Sequence, residues 1–157
     1  MIKAFRIDDR LLHGQVITGW MKPLSIDNIL VIGDQAAHDE TKAMSIKIAK
    51  PMNVKLYIKD LKEGCAALEK ASGLPKNFIV IVENVPDALA LVENCPSLKG
   101  TTVTMGGQKM AEGRRRAADL VCLSDRDIED LKKIEQLGAK VVIQKLPKDR
   151  ALQLSDI

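Results

Sequence analysis

Residues 78–82 read Phe-Ile-Val-Ile-Val, five apolar side chains with no polar residue between them. A strand with one wet face alternates apolar and polar residues, so an unbroken run fits a strand covered on both faces. Six other short, mostly β-branched runs accompany it, at 2–7, 28–34, 54–59, 101–105, 119–124 and 140–145. Between most of them lie segments that read as helix. Residues 38–50 set Met44, Ile46 and Ile48 among Lys and Glu, and residues 59–71 carry Leu61, Cys65 and Leu68 at helical spacing. Strand alternating with helix predicts one α/β domain over residues 1–157. Its sheet is open and mainly parallel, of about six to seven strands, with helices on both faces. The late runs at 119–124 and 140–145 are more polar and suit edge strands, with an antiparallel edge left open.

Local punctuation supports these boundaries. Pro51 follows one helical segment, Gly73-Leu-Pro75 ends another, and Gly138 follows the helix expected over 125–137. Ser124 with Asp127 three residues on resembles a capping box with Asp in the usual Glu or Gln place. Pro86 stands where a first helical turn tolerates proline. In an open α/β sheet, ligands collect beyond the carboxyl ends of the strands. The segment after the first strand, Asp34, Glu83-Asn84 and Met105-Gly106-Gly107 should share that rim.

The first of those segments, RIDDRLLHGQV at 6–16, crowds two Asp and two Arg around one His. A neutral imidazole has a lone pair for a phosphoryl group, and a helix start offers backbone N–H groups to an anion. His13 sits between the strand at 2–7 and a helix expected from about residue 14. Arg10 offers a planar donor fork for phosphate oxygens, and Gly14 lets the backbone come close. A carboxylate aimed at a phosphate repels it, so Asp8 or Asp9 is expected to fix Arg10 or Arg6, or to orient the second imidazole nitrogen. Gln15 is expected to bind phosphate or cap the helix, and Gly106-Gly107 to make a tight turn or present amides to the phosphate. No Walker or G-x-G-x-x-G pattern follows the strand, so a nucleotide donor has no recognisable cradle.

Composition removes other classes. Net charge is +3, and Phe5, Trp20, Tyr57 and Phe78 are the only aromatics, which disfavours a dedicated nucleic-acid binder. Cys65, Cys95 and Cys122 show no ligand spacing, so free thiols are expected, with neither metal nor disulfide framework. No membrane-spanning run or signal-type segment is visible, which reads as a cytoplasmic chain. Arg114, Arg115 and Arg116 form a basic patch for a protein surface or a solvated turn. His38 reads as a solvated helix-start residue and Trp20 as core packing.

RIDDRLLHGQV resembles the signature of the IIB components of the mannose/fructose/sorbose family of the bacterial phosphoenolpyruvate:sugar phosphotransferase system (PTS). The family's usual form is R-I-D-D-R-L-I-H-G-Q-V, from which only Leu12 departs. NILVIGDQAAHD is similar to the family's second strand and acidic loop, with Gly33 where an acidic residue is common. TTVTMGGQKMAEGRRR is similar to its V-N-V-G-G-M segment, with Thr104 in place of Asn. SDRDIEDLKKIEQLGAKVVIQKLP resembles the last helix and strand, so the likeness runs along the whole chain.

The resemblance implies a protein-phosphohistidine–sugar phosphotransferase that needs no cofactor. His13 matches the phosphoryl-carrying His, Arg10 the Arg associated with the phosphoryl group, and Asp8 and Asp9 its acidic neighbours. The implied donor is a IIA component; the acceptor is a sugar carried by membrane IIC and IID components, at which the chain would sit peripherally. Met1 lies just ahead of the signature, which reads as a IIB unit without a fused IIA. Two other readings use the same loop: a module that binds a phosphometabolite without covalent chemistry, and a regulatory docking protein. A dimer that buries His13 is not expected, because the rim must stay open to two partners.

Overall fold

The computed structural model describes residues 1–157. Its main sheet has six parallel strands in the order β3-β2-β4-β1-β5-β8. These are β1 (Ile2–Asp8), β2 (Asn28–Ile32), β3 (Lys55–Lys59), β4 (Phe78–Val82), β5 (Thr102–Gly107) and β8 (Lys140–Ile143). The Phe-Ile-Val-Ile-Val run is β4, and every residue in it is buried. Its period of two divides it between two cores: Phe78, Val80 and Val82 face one, Ile79 and Ile81 the other.

The larger core is covered by α4 (Leu61–Ser72), α5 (Val85–Asn94) and α6 (Asp125–Gln136), through residues such as Leu68, Leu91 and Leu131. The smaller lies under α1 (Gly14–Val16), a π-helical turn (Ile17–Met21), α2 (Asp34–His38) and α3 (Glu40–Ala49). Val16, Trp20, Ala36 and Ile46 bring those elements onto the sheet. Caps fix the helix starts. Ser124 and Asp127 form a reciprocal capping box, Asn84 accepts from the amide of Asp87 at 2.9 Å, and Pro86 stands in the first turn of α5.

Two expectations are corrected, and the question left open about an antiparallel edge is answered. The run at 119–124 does not enter the main sheet: Val121–Leu123 forms β7, which pairs antiparallel with β6 (Arg115–Ala118) in a separate two-stranded sheet. All six strands of the main sheet are parallel, including the β8 edge. The segment 38–50 splits, with His38 ending α2 and Asp39 capping α3 through the Lys42 amide at 3.0 Å. In α3 only Ile46 is buried, and Met44 and Ile48 are exposed.

Strand order sets the position of the site. The helices after β1 and β2 cover the smaller core, whereas the helix after β4 covers the larger one. Because β4 lies between β2 and β1, the connections leave its neighbours in the opposite direction and open a crevice at their carboxyl ends.

Candidate functional site

The site begins inside β1. A strand points alternate residues to one face, so Arg6 and Asp8 both project toward the smaller core, and both are fully buried. Arg6 Nε donates to Asp8 Oδ2 at 3.3 Å, and Nη1 donates to the carbonyl of Gln144 at 3.2 Å. The guanidinium carbon lies 5.0 Å from the Trp20 ring centroid, a cation–π contact. Trp20 in turn donates its indole N–H to the Lys145 carbonyl at 2.8 Å, so it packs the core and also seats Arg6.

Gly106 and Gly107 make room for this pair. They end strand β5 and do not form a turn. A Cβ on Gly106 would overlap the Arg6 guanidinium, and one on Gly107 would come within 2.8 Å of Asp8 Oδ1.

Asp8 is the hub of the loop above. It accepts from the Arg10 amide at 3.1 Å, from Arg10 Nε at 3.2 Å and Nη2 at 3.3 Å, and bonds His13 Nε2 at 3.1 Å. Burial pushes the Asp8 carboxyl up, but the bonds from His13 and Arg10 and the Arg6 charge outweigh it and hold the group at about 2. Asp8 therefore fixes both arginines and orients the imidazole. Asp9 does neither: its Oδ2 accepts from the Lys109 amide at 2.7 Å and ties the segment after β5 to the loop.

Ionised Asp8 can only accept, so Nε2 donates in this bond, and in the neutral imidazole Nδ1 keeps the lone pair. The His13 side chain is 19% exposed, so the ring is held from below and reachable from solvent. The turn that delivers it carries Leu11 at φ 55°, a left-handed conformation unusual for a γ-branched residue. Its amide donates to the Asp8 carbonyl at 2.9 Å, and its side chain is buried.

His13 caps α1, which is only one turn long and continues as the π-helical turn rather than a longer α-helix. A Cβ on Gly14 would meet nothing within 4 Å, so that backbone is open to a ligand. Gln15 Oε1 accepts from Arg10 Nη2 at 3.3 Å and steadies the arginine from its outer side.

The other half of the rim is a crevice of about 370 Å³ with no hydrophobic residue in its wall. Asp34 and Glu83-Asn84, expected there as strand ends, do meet in it. Asp87, Gln108, Lys109 and Arg114 join them without having been singled out for it, because strand order, not local pattern, brings these ends together. Burial and the charges of Asp34 and Glu83 push the Asp87 carboxyl up to about 6. Of the remaining basic run, Arg115 pairs with Asp125 at 2.8 Å at the surface. His38 is exposed and pairs with Asp60 at 3.2 Å.

Metal-type ligands converge at one place only, away from this rim. Cys65, Glu69 and Cys95 bring their ligand atoms within 4.8 Å of one another, a proximity that their spacing in the chain does not announce. The cysteines are free. A larger groove of about 720 Å³ beside edge strand β3 is lined by alkyl side chains, Tyr57 and lysines.

Comparison with known proteins places this geometry in context. Residues 2–157 match the family model described as PTS system sorbose subfamily IIB component. The fructose-specific EIIB component of Bacillus subtilis is 31% identical over 144 residues, covering 92% of this chain and 87% of that protein. The mannose-specific EIIAB component of Escherichia coli is 28% identical over 157 residues, all of this chain. This chain spans 48%, about half, of that longer relative. The crystal structure of the IIBSor domain of the sorbose permease from Klebsiella pneumoniae superposes with a TM-score of 0.89 at 25% identity, covering 99% of this chain and 95% of that one.

Proposed function

Because the chain belongs to the sorbose subfamily of PTS IIB components, sugar-transport phosphotransferases, we propose that His13 is its phosphoryl carrier and Nδ1 the atom that carries. The observation that supports this most is the Asp8–His13 bond. It occupies Nε2 and fixes the ring of a partly exposed side chain, and it leaves Nδ1 as the free nitrogen, with Arg10 held on the same carboxylate.

In the first transfer the P–N bond of a phosphohistidine on a IIA component breaks as the His13 Nδ1–P bond forms. In the second, a sugar hydroxyl oxygen attacks phosphorus, the Nδ1–P bond breaks, and the hydroxyl proton is released. Arg10 and the amides from Gly14 onward face the charge on the equatorial oxygens in both steps. Asp8 keeps its negative charge out of the path by sharing it among Arg6, Arg10 and His13. Gly106 and Gly107 serve the phosphate indirectly, through the space they leave for Arg6 and Asp8.

The sugar is of the mannose, fructose, sorbose or amino-sugar class and is presented by membrane IIC and IID components. No helix of this chain is long and apolar enough to cross a membrane, so its contact with them is peripheral. The test is intact-mass measurement after incubation with phosphoenolpyruvate, the two general phosphotransferase proteins and a IIA component. The expected result is one acid-labile phosphoryl group on the wild type and none on His13→Ala. An unmodified wild type would refute the relay and leave a non-covalent docking role, and a labelled alanine variant would move the carrier to another residue.

A further inference from the structure

We propose that the crevice beside β4 is a subsite for the hydroxyl groups of a hexose, so that this chain itself holds part of the phosphoryl acceptor. The proposal rests on the relay reading above and adds to it where the acceptor is gripped.

Position is the first reason. The crevice lies where the connections of adjacent strands diverge to opposite faces, the place where open α/β sheets take ligands. Asp9 forms part of its wall and follows directly on Asp8, the partner of His13, so the crevice and the His13 loop share the carboxyl end of β1.

The second reason is Gln108. It is 5% exposed, lines the crevice, and its side-chain amide has no hydrogen-bond partner in the protein. Its amide is not sealed away, since Arg6 Nη2 is the one buried side-chain polar atom without a partner, and an amide opening into a cavity presents a donor and an acceptor to whatever enters.

The chemistry of the wall then selects the ligand. Small-molecule sites are mostly apolar and of about 300–1,000 Å³; this one has the size but no apolar lining. A hydrophobic guest would leave the Gln108 amide without a partner. A bound cation is disfavoured because the carboxylates do not converge as metal ligands do. Each of three is already engaged: Glu83 with Lys42, Asp34 with the Leu61 amide at 3.0 Å, and Asp9 with the Lys109 amide. A free anion would meet four carboxylates, Asp9, Asp34, Glu83 and Asp87, against the two cations Lys109 and Arg114. A neutral polyol fits: its hydroxyls donate to Asp34 and Asp87 and exchange donor and acceptor with Gln108.

The test is an amide-resolved NMR titration of the 15N-labelled chain with mannose, with fructose and, separately, with inorganic phosphate. Saturable hexose-induced shifts are expected at Asp9, Gln35, Asn84 and Lys109, with affinity weakened about fivefold in Gln108→Met and again in Asp87→Ala. Thermal melting checks that both variants are folded. Absence of hexose shifts, equal affinity in both folded variants, or saturation of the same amides by phosphate instead would each overturn the subsite. Phosphorylation by IIA is measured on the same samples. A wild type that is phosphorylated but gives no hexose shifts refutes the subsite alone, and one that binds hexose but is never phosphorylated refutes the relay alone.

Discussion

Asp8 and Asp87 stand on the same rim of one sheet, and their surroundings drive them in opposite directions. Asp8 is fully buried, which by itself favours the neutral acid, yet donors from Arg6, Arg10 and His13 hold it ionised at about 2. Asp87 is less deeply buried, but its neighbours Asp34 and Glu83 are carboxylates, and it rises to about 6. The local count of partners outweighs depth. A fully partnered carboxylate makes a rigid scaffold that can aim a nucleophile; one left without a cation keeps acceptor capacity for something that arrives.

The strongest way to break this contrast is Asp8→Ala. It removes the one anion facing a fully buried Arg6, and breaking such a pair typically costs about 3–5 kcal/mol. Chemical denaturation should show a loss of that order, with phosphorylation by IIA abolished as His13 loses its orientation. A loss under about 1 kcal/mol, the range of surface pairs, would mean that Asp8 is not the hub.

Arg10→Ala separates scaffold from chemistry. The Arg10 side chain is 43% exposed, so its removal should shift stability by no more than about 1 kcal/mol. Phosphoryl transfer should slow by about 10²–10³-fold, as expected when a donor to developing charge is lost. Rapid-quench transfer rates beside a denaturation curve decide it. Equal damage to both would put Arg10 in the scaffold with Arg6.

Gly106→Ala tests how tightly that scaffold is packed. The new methyl overlaps the Arg6 guanidinium, and overpacking of this kind costs about 1–3 kcal/mol. Gly14→Ala is the control, since its methyl meets nothing within 4 Å. A difference in melting temperature between the two variants is expected, and none would show that Arg6 can move aside.

These three positions also mark how far the sequence could be read. Strand runs, the Ser124 capping box and Pro86 are local patterns, and the structure contains each of them. Arg10 and His13 lie in one loop with the Asp pair, so their proximity was legible. The division of labour between Asp8 and Asp9 was latent in the period of two that puts Arg6 and Asp8 on one face of β1. What could not be read depends on elements distant in the chain. Gly106 and Gly107 resembled a turn because the side chains that fill their missing volume belong to β1. Residues 119–124 do form a strand, but read as one of the main sheet because their actual partner, Arg-Arg-Ala-Ala, carries no strand-like alternation. The crevice brings together the ends of β1, β2, β4 and β5, and only strand order does that.

The smallest expected effect concerns the other carboxylate and fixes the sign of the contrast. A depressed group such as Asp8 contributes stability above its unfolded value of about 4, and that contribution is lost as pH falls through about 2. A raised group such as Asp87 does the reverse: stability is fullest below about 4 and is lost as pH rises through about 6. Asp87→Asn keeps the shape and removes the charge, so it should leave stability unchanged at pH 4 and raise it at pH 8. Discounted for the solvent that reaches Asp87, the gain is of order 1 kcal/mol. Paired denaturation curves at the two pH values measure it. A variant less stable than wild type at pH 8 would mean that Lys109 or Arg114, across the crevice, already neutralises Asp87 and that the two carboxylates are held alike.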